Sequence, residues 1–132
     1  MKRSLVLVML VLGCRDSTAP TLTPCAGPVT VTLQTHSLQP TFSWSPNCLT
    51  DQISVAEEFP PSVGGDQMKW ILMTRRDEKG SGAPLRYGAV PLSMEELLHA
   101  QPLAPTHTYH VRVYGSGSMV GEAYFALPYP PD

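Results

Sequence analysis

Fourteen prolines are spread through a chain of 132 residues. A proline inside an α-helix removes a backbone donor and clashes with the preceding turn, at a cost of about 3 kcal/mol. A mainly helical fold is therefore excluded. Apolar residues make up 42% of the chain, enough for a core and too many for wholesale disorder. The length accommodates one domain with a tail. The net charge of −2 leaves no basic footprint, so nucleic acid is not an expected partner.

The chain opens with Lys2 and Arg3, followed by an unbroken apolar run over residues 5–12, then Gly13 and Cys14. The run is far shorter than the roughly 20 residues of a spanning helix and reads as the apolar region of a signal peptide. Val11-Leu12-Gly13-Cys14 resembles the lipobox of bacterial lipoproteins. The resemblance implies cleavage before Cys14 and attachment of diacylglycerol to its sulfur. Residues 1–13 are then a lipoprotein signal peptide, and residues 14–24 are a tether rich in Pro and Thr. Loss of Lys2 and Arg3 takes the charge from −2 to −4. The expected location is the bacterial cell envelope, with the outer membrane favoured over the inner. The expected membrane contact is the lipid anchor on Cys14.

With Cys14 lipidated, Cys25 and Cys48 are the remaining pair. Export to an oxidising compartment makes them a disulfide, and no Cys-x-x-Cys spacing favours zinc. The local pattern agrees. Val29, Val31 and Leu33 alternate with polar residues, as do Phe42 and Trp44. A hairpin turning at His36-Ser37 pairs Leu33 with Pro40, Val31 with Phe42 and Val29 with Trp44. All large apolar side chains then share one face, and both cysteines lie at one end.

The remaining sequence reads as short strands over residues 51–57, 68–74, 85–90, 108–114 and 120–127, separated by loops rich in Gly and Pro. Residues 93–100 admit two readings. Ser93 with Glu96 matches a helical capping box, while residues 96–99 also fit a strand. In residues 108–114, Tyr109, Val111 and Val113 face one way, and His110, Arg112 and Tyr114 the other. The expectation is an all-β antiparallel sandwich of about seven strands with one short helical turn, spanning residues 25–132.

Two segments make that expectation more specific. Thr41-Phe42-Ser43-Trp44-Ser45-Pro46 resembles the second strand of a fibronectin type III domain. Residues 103–113, with Leu103, Pro105 and Tyr109, resemble that family's turn into its sixth strand. Thr106 and His107 stand where the family usually has Gly and Thr. The resemblance implies an immunoglobulin-like sandwich with Trp44 and Leu103 in its core. It also implies a tyrosine corner in which the Tyr109 hydroxyl meets backbone a few residues upstream. The family is mostly non-catalytic.

Chemistry is sparsely signalled. His107 and His110 are three residues apart and face opposite ways on a strand, which reads as a turn histidine and a surface histidine. Glu57-Glu58 and Glu95-Glu96 read as solvated surface, although a glycosidase needs only two carboxylates about 5–10 Å apart. No calcium loop, phosphate loop or nucleophile elbow occurs. No metal, no cofactor and no catalytic residue is expected. Among the aromatics, Tyr114 lies opposite Tyr109 by strand parity. Together with Arg112 it is the candidate binding surface.

The function expected is that of a membrane-anchored lipoprotein whose sandwich binds or spaces, with an envelope protein or polysaccharide as partner. A small secreted hydrolase and an accessory subunit of an envelope assembly are the alternatives. A concave pocket with converging ionisable groups separates the hydrolase from a binding module.

Overall fold

Strand β1 (Thr30–Gln34) and strand β2 (Thr41–Ser45) form the expected hairpin, displaced by two residues. In the computed structural model, which describes residues 21–128, Val31 pairs with Trp44 and Leu33 with Phe42. The expected pairs were Val31 with Phe42 and Val29 with Trp44. A slide of two residues leaves every side chain on its own face, so apolar alternation does not distinguish the two registers. The loop decides. Ser37 Oγ accepts the Gln39 N–H and donates to the Gln39 carbonyl, both at 3.1 Å, so the turn centres later than His36-Ser37.

The chain continues through β3 (Gln52–Glu57), a 3₁₀ turn at Pro61–Val63, β4 (Gln67–Thr74), β5 (Leu85–Arg86), β6 (Met94–Leu98), β7 (Thr108–Gly115) and β8 (Ser118–Ala126). Two antiparallel sheets result, one of order β1-β2-β5 and one of order β6-β4-β3-β7-β8. The described residues form eight strands, in line with the expected sandwich of about seven.

The eighth strand is β6, and it decides the two readings of residues 93–100 in favour of a strand. Its backbone pairs with the outer edge of β4, with Met94 opposite Thr74 and Leu98 opposite Ile71. Ser93 does not cap anything: its hydroxyl donates to the Gly80 carbonyl at 2.7 Å. An eight-residue helix is marginal in water, whereas an open sheet edge offers a row of unpaired backbone groups. The short helical turn falls instead at Pro61–Val63, where consecutive prolines preset φ. The expected strand over residues 85–90 contracts to Leu85–Arg86.

Between the sheets lies one core. Phe42 and Trp44 of β2 and Leu85 of β5 meet Ile53, Val55, Trp70, Leu72, Val111 and Val113 from the larger sheet. Phe125 joins the layers, edge-on to Phe42 at 5.7 Å and stacked on Tyr109 at 5.5 Å. Burying each such side chain stabilises the fold by about 1.5–3 kcal/mol, before the entropy of ordering it is counted. Gly121 of β8 lets β1 approach, since a Cβ there would stand 2.8 Å from the Val29 carbonyl oxygen.

Cys25 and Cys48 are joined by a disulfide. They do not extend the β1–β2 ladder. Residues 23–25 run parallel to the chain around Leu49, with Leu49 N–H donating to Thr23 O and Cys25 N–H to Leu49 O. The last residues of the expected tether, Thr23 and Pro24, are thus paired to the domain. Cys14 and the expected signal peptide lie outside the described residues, as does Tyr129.

Candidate functional site on the outer face of the larger sheet

The register of the five-stranded sheet places the candidate residues. His110 lies between Ala56 of β3 and Tyr124 of β8, Arg112 between Ser54 and Glu122, and Tyr114 between Gln52 and Met119. These side chains project away from Tyr109, Val111 and Val113, as strand parity requires. Arg112 and Tyr114 therefore share the solvent face. Arg112 Nη2 lies 4.0 Å from Asp66 Oδ2, a surface pair whose contribution to stability is small. Tyr114 lines a shallow depression of about 400 Å³ with Asp51, Gln52, Met73, Thr74 and Gly117. Exposed Met119 and Tyr124 complete an apolar fringe on the same face.

His110 is not the surface histidine expected. It is only 2% exposed. Tyr124 lies over its ring, with centroids 4.0 Å apart and planes at 10°, while the small side chain of Ala56 sits on the other flank. Its Nε2 pairs with Glu122 Oε2 at 2.8 Å. Its Nδ1 has no hydrogen-bond partner, the one such buried side-chain atom among the described residues.

Next to this ring the chain leaves β3 and returns on β4. The Glu58 N–H donates to the Thr108 carbonyl at 2.9 Å, which prolongs the β3–β7 ladder and puts Glu58 on the face of Ala56 and His110. Asp66 ends the returning loop. A surface depression of about 360 Å³ is lined by Glu58, Phe59, Pro60, Asp66 and Thr108.

The acidic pairs divide between protein and solvent rather than lying wholly on the surface. Glu57 is 5% exposed, held by Lys69 Nζ at 3.2 Å and by His107 Nδ1. His107 thus pins the turn before β7 to the end of β3. Glu96 accepts the Trp70 indole N–H at 2.8 Å and the Ala100 N–H at 3.1 Å, with His99 Nδ1 at 3.1 Å. Desolvation would raise the Glu96 pKa. The donors from His99, Trp70 and Ala100 outweigh it and hold the carboxyl below its usual range. Sequence reading missed the Glu57 and Glu96 clusters because Lys69 and Trp70 come from β4 and His107 from the turn before β7.

The remaining residues singled out in the sequence are core. Trp44 is 3% exposed and donates its indole N–H to the Cys48 carbonyl at 2.9 Å. Leu103 is buried in the same core. Tyr109 is buried, and its hydroxyl accepts the Ala104 N–H at 2.7 Å. Tyr87 donates its hydroxyl to the Gln101 carbonyl at 2.6 Å; burial, and secondarily the neighbouring Tyr109, push its pKa far above the usual tyrosine value. No protein-family model matches the chain, and neither a curated protein nor a solved structure matches it.

Proposed function

We propose that the protein is a lipid-anchored envelope protein of fibronectin type III-like build whose sandwich is a non-catalytic binding or spacer module. The anchor is Cys14, supported by the Lys2-Arg3 start, the apolar run and Gly13-Cys14. The observation that carries the binding role is the pairing of Arg112 with Tyr114 on the solvent face of the larger sheet, beside the depression that Tyr114 lines. A planar guanidinium and an amphipathic aromatic ring form a surface suited to an envelope protein or polysaccharide.

Two experiments test this reading. Fatty-acid labelling should mark the wild type and not Cys14→Ser; equal labelling of both sinks the anchor. Replacing Arg112 and Tyr114 together by Ala should leave the melting temperature nearly unchanged and weaken retention of the partner in detergent co-purification. Undiminished retention sinks the surface.

A second reading, as an accessory subunit of an envelope assembly, is favoured by the edge strand β6. Leu97 on that strand is 57% exposed and the preceding Leu92 is 94% exposed. Such an edge can pair with another chain.

A further inference from the structure

The chain carries no Cys-x-x-Cys and no calcium loop, and its close histidine pair, His107 and His110, faces opposite ways. That pattern misses a different grouping. Glu58, Asp66 and His110 each bring one ligand atom into a cluster whose members lie within 4.8 Å of one another. They come from just past the end of β3, the end of the loop leading into β4, and β7, so no sequence spacing announces them.

The histidine supplies the second, independent observation. Its ring is 2% exposed, and Glu122 Oε2 lies 2.8 Å from Nε2. A carboxylate only accepts, so this bond assigns the proton to Nε2 in the neutral ring. Nδ1 is then left with a bare lone pair, buried and without a donor. Metal-bound histidines have this arrangement: one nitrogen on the ion, the other N–H held by a carboxylate that orients the ring and raises its basicity. Tyr124 and Ala56 fix the plane from either side.

We propose that Glu58, Asp66 and His110 form a binding site for a divalent first-row transition ion of the zinc class. One imidazole nitrogen with two carboxylates is a borderline donor set, which favours such ions over Ca²⁺ and Mg²⁺, whose ligands are all oxygen. Two donors on a tetrahedral zinc stand about 3.4 Å apart, given bonds of about 2.0–2.1 Å. Half-buried Glu58 and exposed Asp66 have room to close that distance, while the buried ring stays in place. Two carboxylates and a neutral imidazole balance the charge of the ion. Arg112 Nη2, 4.0 Å from Asp66 Oδ2, is a cation beside the cluster and has to release Asp66 for the ion to bind. The bound ion staples the loop of residues 59–66 to the outer face of β7. Three protein ligands leave a coordination position open to water or to a group from a partner. The inference does not rest on the lipid anchor or on the binding role proposed for Arg112 and Tyr114, although the site and that surface share Arg112 through Asp66.

The test is Zn²⁺ titration of the full chain in detergent, followed by calorimetry and by ¹⁵N NMR of the histidines. One Zn²⁺ should bind, and Ca²⁺ or Mg²⁺ should not displace it. The His110 Nδ1 resonance should move while Nε2 stays protonated. Glu58→Gln with Asp66→Asn should abolish binding without changing the melting temperature of the metal-free protein. These side chains are chosen because His110 variants disturb a buried site. Glu122→Gln should weaken binding roughly 10- to 100-fold, the scale of losing a carboxylate that orients a ligand. The proposal is overturned by absence of stoichiometric binding, by equal binding to the Glu58/Asp66 double variant, or by a shift confined to His36, His99 or His107. A metal-free His110 protonated on both nitrogens also overturns it, because the lone pair would then be absent.

Discussion

The Tyr109 hydroxyl accepts the backbone N–H of Ala104 at 2.7 Å, tying the first turn of β7 to the segment that enters it. The ring is 1% exposed and stacks on Phe125, so polar and apolar ends of one side chain fix the same corner. Tyr109→Phe removes only the hydroxyl and leaves Ala104 N–H without its partner. It should lower stability by about 1 kcal/mol or somewhat more. Tyr109→Ala should cost about 3–5 kcal/mol, as for a buried phenyl group. Chemical denaturation measures both; an unchanged midpoint for Tyr109→Phe counts against the corner.

Thr106 lies in the turn before β7 with φ of +67°, a left-handed conformation that a β-branched residue rarely adopts. The strain is of the order of 1–2 kcal/mol, partly offset by the entropy a glycine would lose on folding. Thr106→Gly should therefore stabilise the protein by about 0.5–1 kcal/mol. Thermal unfolding would show a higher midpoint; a lower one would mean that the threonine makes contacts worth more than its strain.

The Cys25–Cys48 bridge closes a loop with a sequence separation of 23. In the chain-entropy view this contributes roughly 3 kcal/mol by restricting the unfolded chain. Both residues are buried in the core, so alanine at both positions keeps the polarity and loses the crosslink. The double variant should be less stable by about that amount. Intact mass of the wild type should show two hydrogens fewer than the reduced chain, and free thiols at both positions would refute the bridge.

Glu96 gives stability a pH dependence of known sign. Its carboxyl is held below the usual range in the fold, so the folded state binds its proton less readily than the unfolded chain does. The stabilisation is fully present above the unfolded carboxyl pKa of about 4.3 and is lost as pH falls through the lower folded value. Comparing wild type with Glu96→Gln from about pH 7 down to about pH 3 should show the difference shrinking. His99 is exposed, so the Trp70 and Ala100 donors should carry most of the effect. A difference that grows on acidification would reverse the assignment.

Local periodicity determined a good deal. Alternation in residues 29–33, 41–45 and 108–114 was enough to name the inward faces of β1, β2 and β7, because successive strand residues point to opposite sides whatever their partner is. With Cys14 read as the lipidated cysteine, the two that remain and their shared place at one end of the hairpin were enough to pair Cys25 with Cys48. The tertiary structure alone decided what depends on where one segment meets another. A two-residue slide between β1 and β2 preserves every face, so only the loop at Ser37 and Gln39 settles the register. Residues 93–100 carry both helical and extended signals, and the open edge of β4 resolves them in favour of β6. His110 alternates outward as expected, yet it is buried because Tyr124, fourteen residues later, lies across it. Glu58, Asp66 and His110 meet for the same reason: backbone pairing between β3, β4 and β7 converts distance along the chain into proximity across a sheet, and a single strand's pattern contains no record of its neighbours.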